Sequence, residues 1–315
     1  MATQTKAIPN APVAVRRSEG VWRDAWKRLR KNRLAIVGGF GVLLLAFAGI
    51  FGPMLAPHPY QVQDIAAVVA NGNEPLPPFQ DMNHPLGTDQ LGRDLMSRLL
   101  DGAQVSLTVA MVVQLVVLFI GVPLGAIAGW VGGRLDTYLM RVTDIFYAFP
   151  DLLFIILMSV AFRETAFGRA LNGVLLVFVA IGLTSWVTVA RLVRGQLLSL
   201  KETEFVEAAR AIGVNDRNIV TKHLLPNAIG PVIVAVTLGI PTAILAEATL
   251  AYLGIGVQPP RASWGTLIND GVNQIRVYPW LVLMPGTLIA LSLMSFTFLG
   301  DGLRDALDPK LKGKQ

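Results

Sequence analysis

Five stretches of this chain run for twenty residues or more without a charged side chain: Leu34 to Ala56, Ala103 to Gly133, Leu171 to Ala190, Leu224 to Ala246 and Val277 to Gly300. Crossing a bilayer takes about 20 apolar residues, and a lone segment in hydrocarbon must satisfy its own backbone, so each predicts a transmembrane helix. A sixth apolar segment, Arg141 to Phe162, is interrupted by Asp144 and Asp151. The fold class expected is an all-α integral membrane protein with six spans. Composition agrees, since only 15% of residues are charged, against roughly 25% in soluble domains.

The spans divide the chain into a basic tail (1–33), a first span (34–56), a long polar loop (57–102), a core of five spans (103–303) and a second tail (304–315). Six spans place both termini on one side, and the positive-inside rule says which. With the N-terminus in the cytoplasm, 21 of the 27 Lys and Arg fall inside. Arg93, Arg98, Arg163, Arg169, Arg261 and Arg276 are left outside. This favours an N-in, C-in protein of a bacterial cell membrane, with lipid around it and no nucleic acid bound by its net charge of +6. Ala46-Phe-Ala48 resembles a signal-peptidase site, but the polar segment before it is too long and the apolar run continues past it, so the first span reads as an uncleaved anchor. With no cysteine, disulfides and thiolate sites are excluded.

Between the fourth and fifth spans lies a polar island, residues 200–227. Phe205, Ala208, Ala209 and Ile212 recur at i, i+3, i+4 and i+7, which predicts a short helix with one narrow stripe. Gly213 stands where a helix stops, because glycine takes the left-handed C′ conformation without a Cβ penalty. Asn215 or Asp216 can cap a second helix, which Pro226 ends or kinks. A helix, a sharp turn and a second helix on the cytoplasmic side make a surface suited to being gripped by another protein.

The outer loop carries His84-Pro-Leu-Gly-Thr-Asp-Gln-Leu-Gly-Arg-Asp-Leu-Met-Ser-Arg98. Thr88 or Asp89 can cap an interfacial amphipathic helix presenting Leu91, Leu95 and Leu99, with Asp94 and Arg98 paired at i, i+4. At membrane depth a carboxylate costs about 2.5 to 3.5 kcal/mol on insertion scales. Asp144 should be interfacial, Asp151 follows the break at Pro150, and Glu247 should reach the outer mouth. Asp151 and Glu247 are candidates for a pathway or gate, or are solvated or interhelically paired carboxylates.

Enzyme signatures are missing. There is no HExxH, GxSxG or phosphate loop, and the three histidines, His58, His84 and His223, sit singly on loops or boundaries. Gly38-Gly-Phe-Gly41 lies inside a span and reads as close helix packing. Neither a catalytic residue nor a metal site emerges, and the chain has no means of hydrolysing ATP.

Glu207-Ala-Ala-Arg-Ala-Ile-Gly213, continuing to Leu225-Pro226, resembles the EAA loop of bacterial ABC importer permeases, with His223 where that pattern prefers isoleucine. Gly87-Thr-Asp-Gln-Leu-Gly-Arg-Asp94, Ile244 to Pro260 with Ser263-Trp-Gly265, and Leu299 to Pro309 narrow the likeness to the C-type permease of dipeptide, oligopeptide and nickel importers. The resemblance implies a type I importer fold whose coupling helix lies in a groove of a cytoplasmic ATPase, with Glu207, Ala208, Ala209, Gly213, Leu225 and Pro226 as coupling residues. It also implies Gly87, Thr88, Asp89, Gly92, Arg93 and Asp94 as an extracytoplasmic family motif. A sister B-type permease, two ATPases that bind ATP and Mg, and an outside solute-binding protein would be the partners. Peptides are the expected cargo, with nickel chelates, glutathione-like solutes or sugars as alternatives. A secondary proton-coupled transporter is the alternative of another class, and Asp151 and Glu247 are its only plausible titrating groups.

Overall fold

The computed structural model describes residues 21–308, which are helical with no strand among them. Lys6, Arg16, Arg17, Pro309, Lys310, Lys312 and Lys314 of the two tails lie outside the described residues. Helix α1 (Val21–Leu29) leads into α2 (Arg33–Leu55), whose start is fixed by Asn32 Oδ1 accepting from the Leu34 and Ala35 N–H groups. Helix α3 (Ile65–Ala70) belongs to the polar loop, and α4 (Leu95–Val131) is a single helix of 37 residues. The remainder comprises α5 (Gly133–Ala148), α6 (Asp151–Phe162), α7 (Ala166–Arg169), α8 (Val174–Lys201), α9 (Glu204–Ala211), α10 (Asp216–Asn218), α11 (Leu225–Tyr252), α12 (Trp264–Gly271) and α13 (Trp280–Leu307).

Helices α2, α4, α8, α11 and α13 are each part of a segment long and apolar enough to cross a membrane. The sixth expected span is not one helix. Helices α5 and α6 meet at a bend of 80° across Phe149 and Pro150, and only as a pair do they make a further span. Proline explains the break, because it bars the preceding residue from the helical region, and Phe149 is extended. Arg191 bonds Asp144 at 2.7 Å, and both carboxylate oxygens of Asp136 accept from Arg194, so α5 is tied to α8 through its charged side.

Among the described residues helices α4 and α8 form the most extensive contact, with α11 packed on both, α2 on α4, and α13 on α2 and α11. Helix association in lipid has no hydrophobic driving force and depends on close backbone packing by small residues. Gly121, Gly125 and Gly129 of α4 supply it, abutting the carbonyl oxygens of Trp186, Ala190 and Arg194 on α8. Gly38 of α2 lies similarly against α13, where a built Cβ would be 2.6 Å from the Ser295 carbonyl oxygen, as its place inside an apolar span suggested.

The interfacial helix expected after Thr88 or Asp89 is absent. Asp94 is the N-cap, accepting from the Ser97 N–H at 2.7 Å, and the helix it starts runs unbroken into the span. The carboxylate that can reach a free N–H two or three residues ahead fixes the start, and here that is Asp94.

Candidate functional site

The polar island folds as a helix, a reversal and a second helix. Helix α9 ends in a Schellman arrangement: the Gly213 N–H donates to the Arg210 carbonyl at 2.9 Å and the Val214 N–H to that of Ala209 at 3.0 Å. Gly213 has φ +78°, the left-handed conformation its position predicts. Asn215 then caps α10 by accepting from the Arg217 N–H at 3.0 Å. Pro226 does not end the second helix. Residues Ile219–Leu224 widen into a π-helical turn and α11 continues through the proline, whose ring cannot donate to the previous turn.

The expected stripe is divided. Val206 and Ala209 turn inward with Ile219 and Leu224, while Phe205, Ala208 and Ile212 face outward, Ile212 being 81% exposed. Glu204 and Glu207 share this outward side, and neither carboxylate has a hydrogen bond or ion pair among the described residues. His223 is exposed, so the apolar packing of the second helix falls to Ile219 and Leu224. The island is fastened at its edge to the end of α4. Lys201 Nζ donates to the Trp130 carbonyl at 2.6 Å, and the Arg210 guanidinium lies 4.8 Å over the Trp130 ring.

Residues 87–94 form an ordered knot on the opposite side. Thr88 Oγ1 accepts from the Leu76 N–H, Gly87 accepts through its carbonyl from the Leu95 N–H, and Gly92 likewise from the Asp64 N–H. Asp89 accepts from the N–H groups of Leu91 and Arg93, from Arg93 Nε at 2.7 Å and from Arg98 Nη1 at 2.6 Å. The i, i+4 pair expected between Asp94 and Arg98 is not made. Asp94 faces His84 and Ser97, whereas Arg98 faces Asp89 and Asp270. Leu91 lies off the helix and is exposed, while Leu95 and Leu99 are buried.

His58 and His84 do not sit singly, since their rings are 4.8 Å apart. His84 is buried, with Nδ1 3.0 Å from Asp94 and Nε2 3.4 Å from Asp64. Donating to both carboxylates requires the imidazolium. Burial opposes that charge, but the hydrogen bonds to Asp94 and Asp64 outweigh it and raise the His84 pKa above its ordinary value. A raised histidine pKa stabilises the fold fully below about pH 6.5 and loses that contribution as pH rises through the folded value. The purified protein should therefore melt at higher temperature at about pH 6 than at about pH 8, and His84→Gln should shrink the difference. An undiminished difference in the variant would assign the effect elsewhere.

Asp151 is exposed in the first turn of α6, at the bend. Glu247 is fully buried behind α12: its Oε2 accepts from Ser106 Oγ at 3.2 Å, and that hydroxyl accepts from the Trp264 N–H. The sequence counts Arg163 only among the outer basic residues and assigns no role to Asp270 or the glycines of α4. The Gly-x-x-x-Gly-x-x-x-Gly spacing of 121, 125 and 129 could have disclosed the last, but Arg98 and Asp270 are 172 residues apart and no local signal joins them.

Residues 121–313 match the binding-protein-dependent transport system inner membrane component family, and residues 20–78 match the N-terminal TM domain of oligopeptide transport permease C. The oligopeptide transport system permease protein OppC of Bacillus subtilis is 40% identical over 297 residues, 94% of this chain and 92% of that protein. The dipeptide transport system permease protein DppC of the same organism is 42% identical, over 92% of this chain and 86% of that protein. Among solved structures, the inward-facing MetNI methionine ABC transporter superposes with a TM-score of 0.57 at 21% identity, over 68% of this chain and 98% of that one. The chain belongs to the family of binding-protein-dependent transport system inner membrane components.

Proposed function

We propose that this chain is the C-type permease subunit of an ATP-driven importer of di- and oligopeptides, and that the outward face of α9 is where ATPase motion enters it. The observation that carries the proposal is an ordered helix whose Phe205, Ala208, Ile212 and unpaired Glu207 face away from the chain while its other side is packed into the core. Glu207 would meet basic groups of an ATPase groove, Ala208 would let that groove approach closely, and Ala209, Gly213, Leu225 and Pro226 would hold the turn. ATP and Mg would be bound by two such ATPases. A sister B-type permease would complete the translocation path and an extracytoplasmic binding protein would deliver the peptide.

With α5 and α6 counted as one bent span there are six crossings, and the arginine and lysine distribution supports a reading in which both termini and the α9 turn face the cytoplasm of a bacterial cell. Rigid-body rocking of two permeases would alternate access to the path. Asp151, at the bend, and Glu247, behind α12, are the candidates for groups that shift during it.

Glu207→Lys and Gly213→Trp test the coupling role. Neither new side chain meets a neighbour, and the left-handed backbone at Gly213 (φ +78°) adds only a local strain of about 1 to 2 kcal/mol for Gly213→Trp, so both variants should still insert, with Glu207→Lys expressing as the wild type does. Peptide uptake should be abolished and the ATPase should no longer co-purify. Wild-type uptake with both changes present would remove α9 as the coupling element, and uptake driven by a proton gradient without any ATPase would replace the importer reading with a secondary transporter.

A further inference from the structure

Of the six basic residues that the charge distribution assigns to the outer side, four, Arg93, Arg98, Arg163 and Arg261, line a single cavity of about 450 Å³. The knot at 89–93, the start of α4, residues 254–261 and α12 build it. Its volume falls within the range of about 300 to 1,000 Å³ usual for small-ligand sites.

The charges do not balance within the chain. Arg93 and Arg98 share Asp89 and Asp270, and Arg261 Nε lies 3.2 Å from Asp101. Arg163 has no carboxylate partner among the described residues; its Nη1 donates to the Gly254 carbonyl at 3.2 Å. Four guanidinium groups thus meet three carboxylates. Arg98 is only 3% exposed, yet its Nε has no acceptor. A buried donor left unmade is costly, and charge-assisted pairing to a carboxylate is the strongest way to satisfy it. Leu95, Val257, Leu267 and Leu281 form an apolar wall of the same cavity.

We propose that this cavity binds the terminal carboxylate of a peptide, with Arg163 and Arg98 as donors and the apolar wall receiving the last side chain. The inference rests on the reading of the chain as a peptide-importer permease. A recess combining guanidinium groups with an apolar wall matches the end of a peptide, which carries both a charge and a side chain. Asp270, half exposed, hydrogen-bonded to Arg98 at 3.2 Å and 3.7 Å from Arg93, competes with the ligand for the same donors.

The permease–ATPase complex in nanodiscs, without binding protein, is titrated calorimetrically with Ala-Ala-Phe and with its C-terminal amide. The acid should bind about tenfold tighter than the amide, reflecting one charge-assisted contact. Arg163→Gln should remove most of that difference and leave the amide unchanged. Asp270→Asn should tighten binding of the acid, a gain that general damage to the site does not produce. Equal affinity for acid and amide, no detectable binding to the intact complex, or a shift in the same direction by both variants would overturn the proposal. So would an Arg163→Gln change that weakened only association of the binding protein, since the cavity would then be a protein-docking surface. Peptide import by the wild-type complex with its binding protein, measured in parallel, separates the outcomes. If import is intact, only the cavity assignment has failed; if it is absent, the importer reading has failed as well.

Discussion

Gly125→Leu should leave little stably folded protein, whereas Gly195→Leu, one helix away, should be tolerated. Gly125 is the middle of three glycines four residues apart on α4, and a built Cβ there collides with the Ala190 carbonyl oxygen and lies 2.9 Å from Val193 Cβ. The flanking Gly121 and Gly129 meet carbonyl oxygens of Trp186 and Arg194, each 2.9 Å from a built Cβ, so α8 cannot pivot away from one site without losing the others. Nothing lies within 4 Å of a Cβ at Gly195. Overpacking in a tight core costs about 1 to 3 kcal/mol, and separating two helices along a backbone contact reaches or exceeds the upper end. Denaturant titration in mixed micelles measures this directly. If Gly125→Leu and Gly195→Leu unfold at the same midpoint, α4 and α8 are not in backbone contact.

Asp89→Ala should be the most damaging single change in the outer loop, at about 3 to 5 kcal/mol, because it strips a buried ion pair of one partner. The carboxylate accepts from four donors, two on the backbone of its own turn and one each on Arg93 and Arg98. After its removal Arg98 retains only Asp270, 3.2 Å away and half exposed. Much of the cost is an uncompensated buried guanidinium and should therefore be recoverable. Asp89→Ala combined with Arg98→Met should be more stable than Asp89→Ala alone, which a double-mutant cycle measures. No recovery would place the damage in the lost backbone hydrogen bonds of the turn.

Periodicity and charge disclosed the helical character, the apolar stretches of the five long crossing segments and the stop at Gly213. All are properties of short windows: an uncharged run, or a glycine where no other residue is comfortable. The failures share a different origin. The break at Pro150 is where the proline puts it, with position 149 extended, but its angle of 80° is set by packing that no local window contains. Apolar spacing on α9 points to Phe205, Ala208, Ala209 and Ile212 as one stripe, whereas packing selects Val206 with Ala209 and leaves Phe205 and Ile212 outside. Spacing offers Asp94 to Arg98, four residues away, but Asp89, nine residues before it, and Asp270 on α12, 172 residues away, take that place. Local spacing proposes partners, and tertiary contact assigns them.

One helix links the two ends of the molecule. Helix α4 has 37 residues, about 55 Å at 1.5 Å per residue, nearly twice the roughly 30 Å hydrocarbon thickness. Its last turn is gripped by Lys201 and Arg210 beside the α9 reversal. Its first turn contributes Leu95 and Arg98 to the arginine cavity. A rod of this length held by a long seam to α8 has the geometry of a beam: a small tilt at the end beside α9 would become a sideways displacement of several ångströms at the far tip. Only Pro123 interrupts its hydrogen-bond ladder. The stiffness of that one joint would set how much of such a displacement arrives.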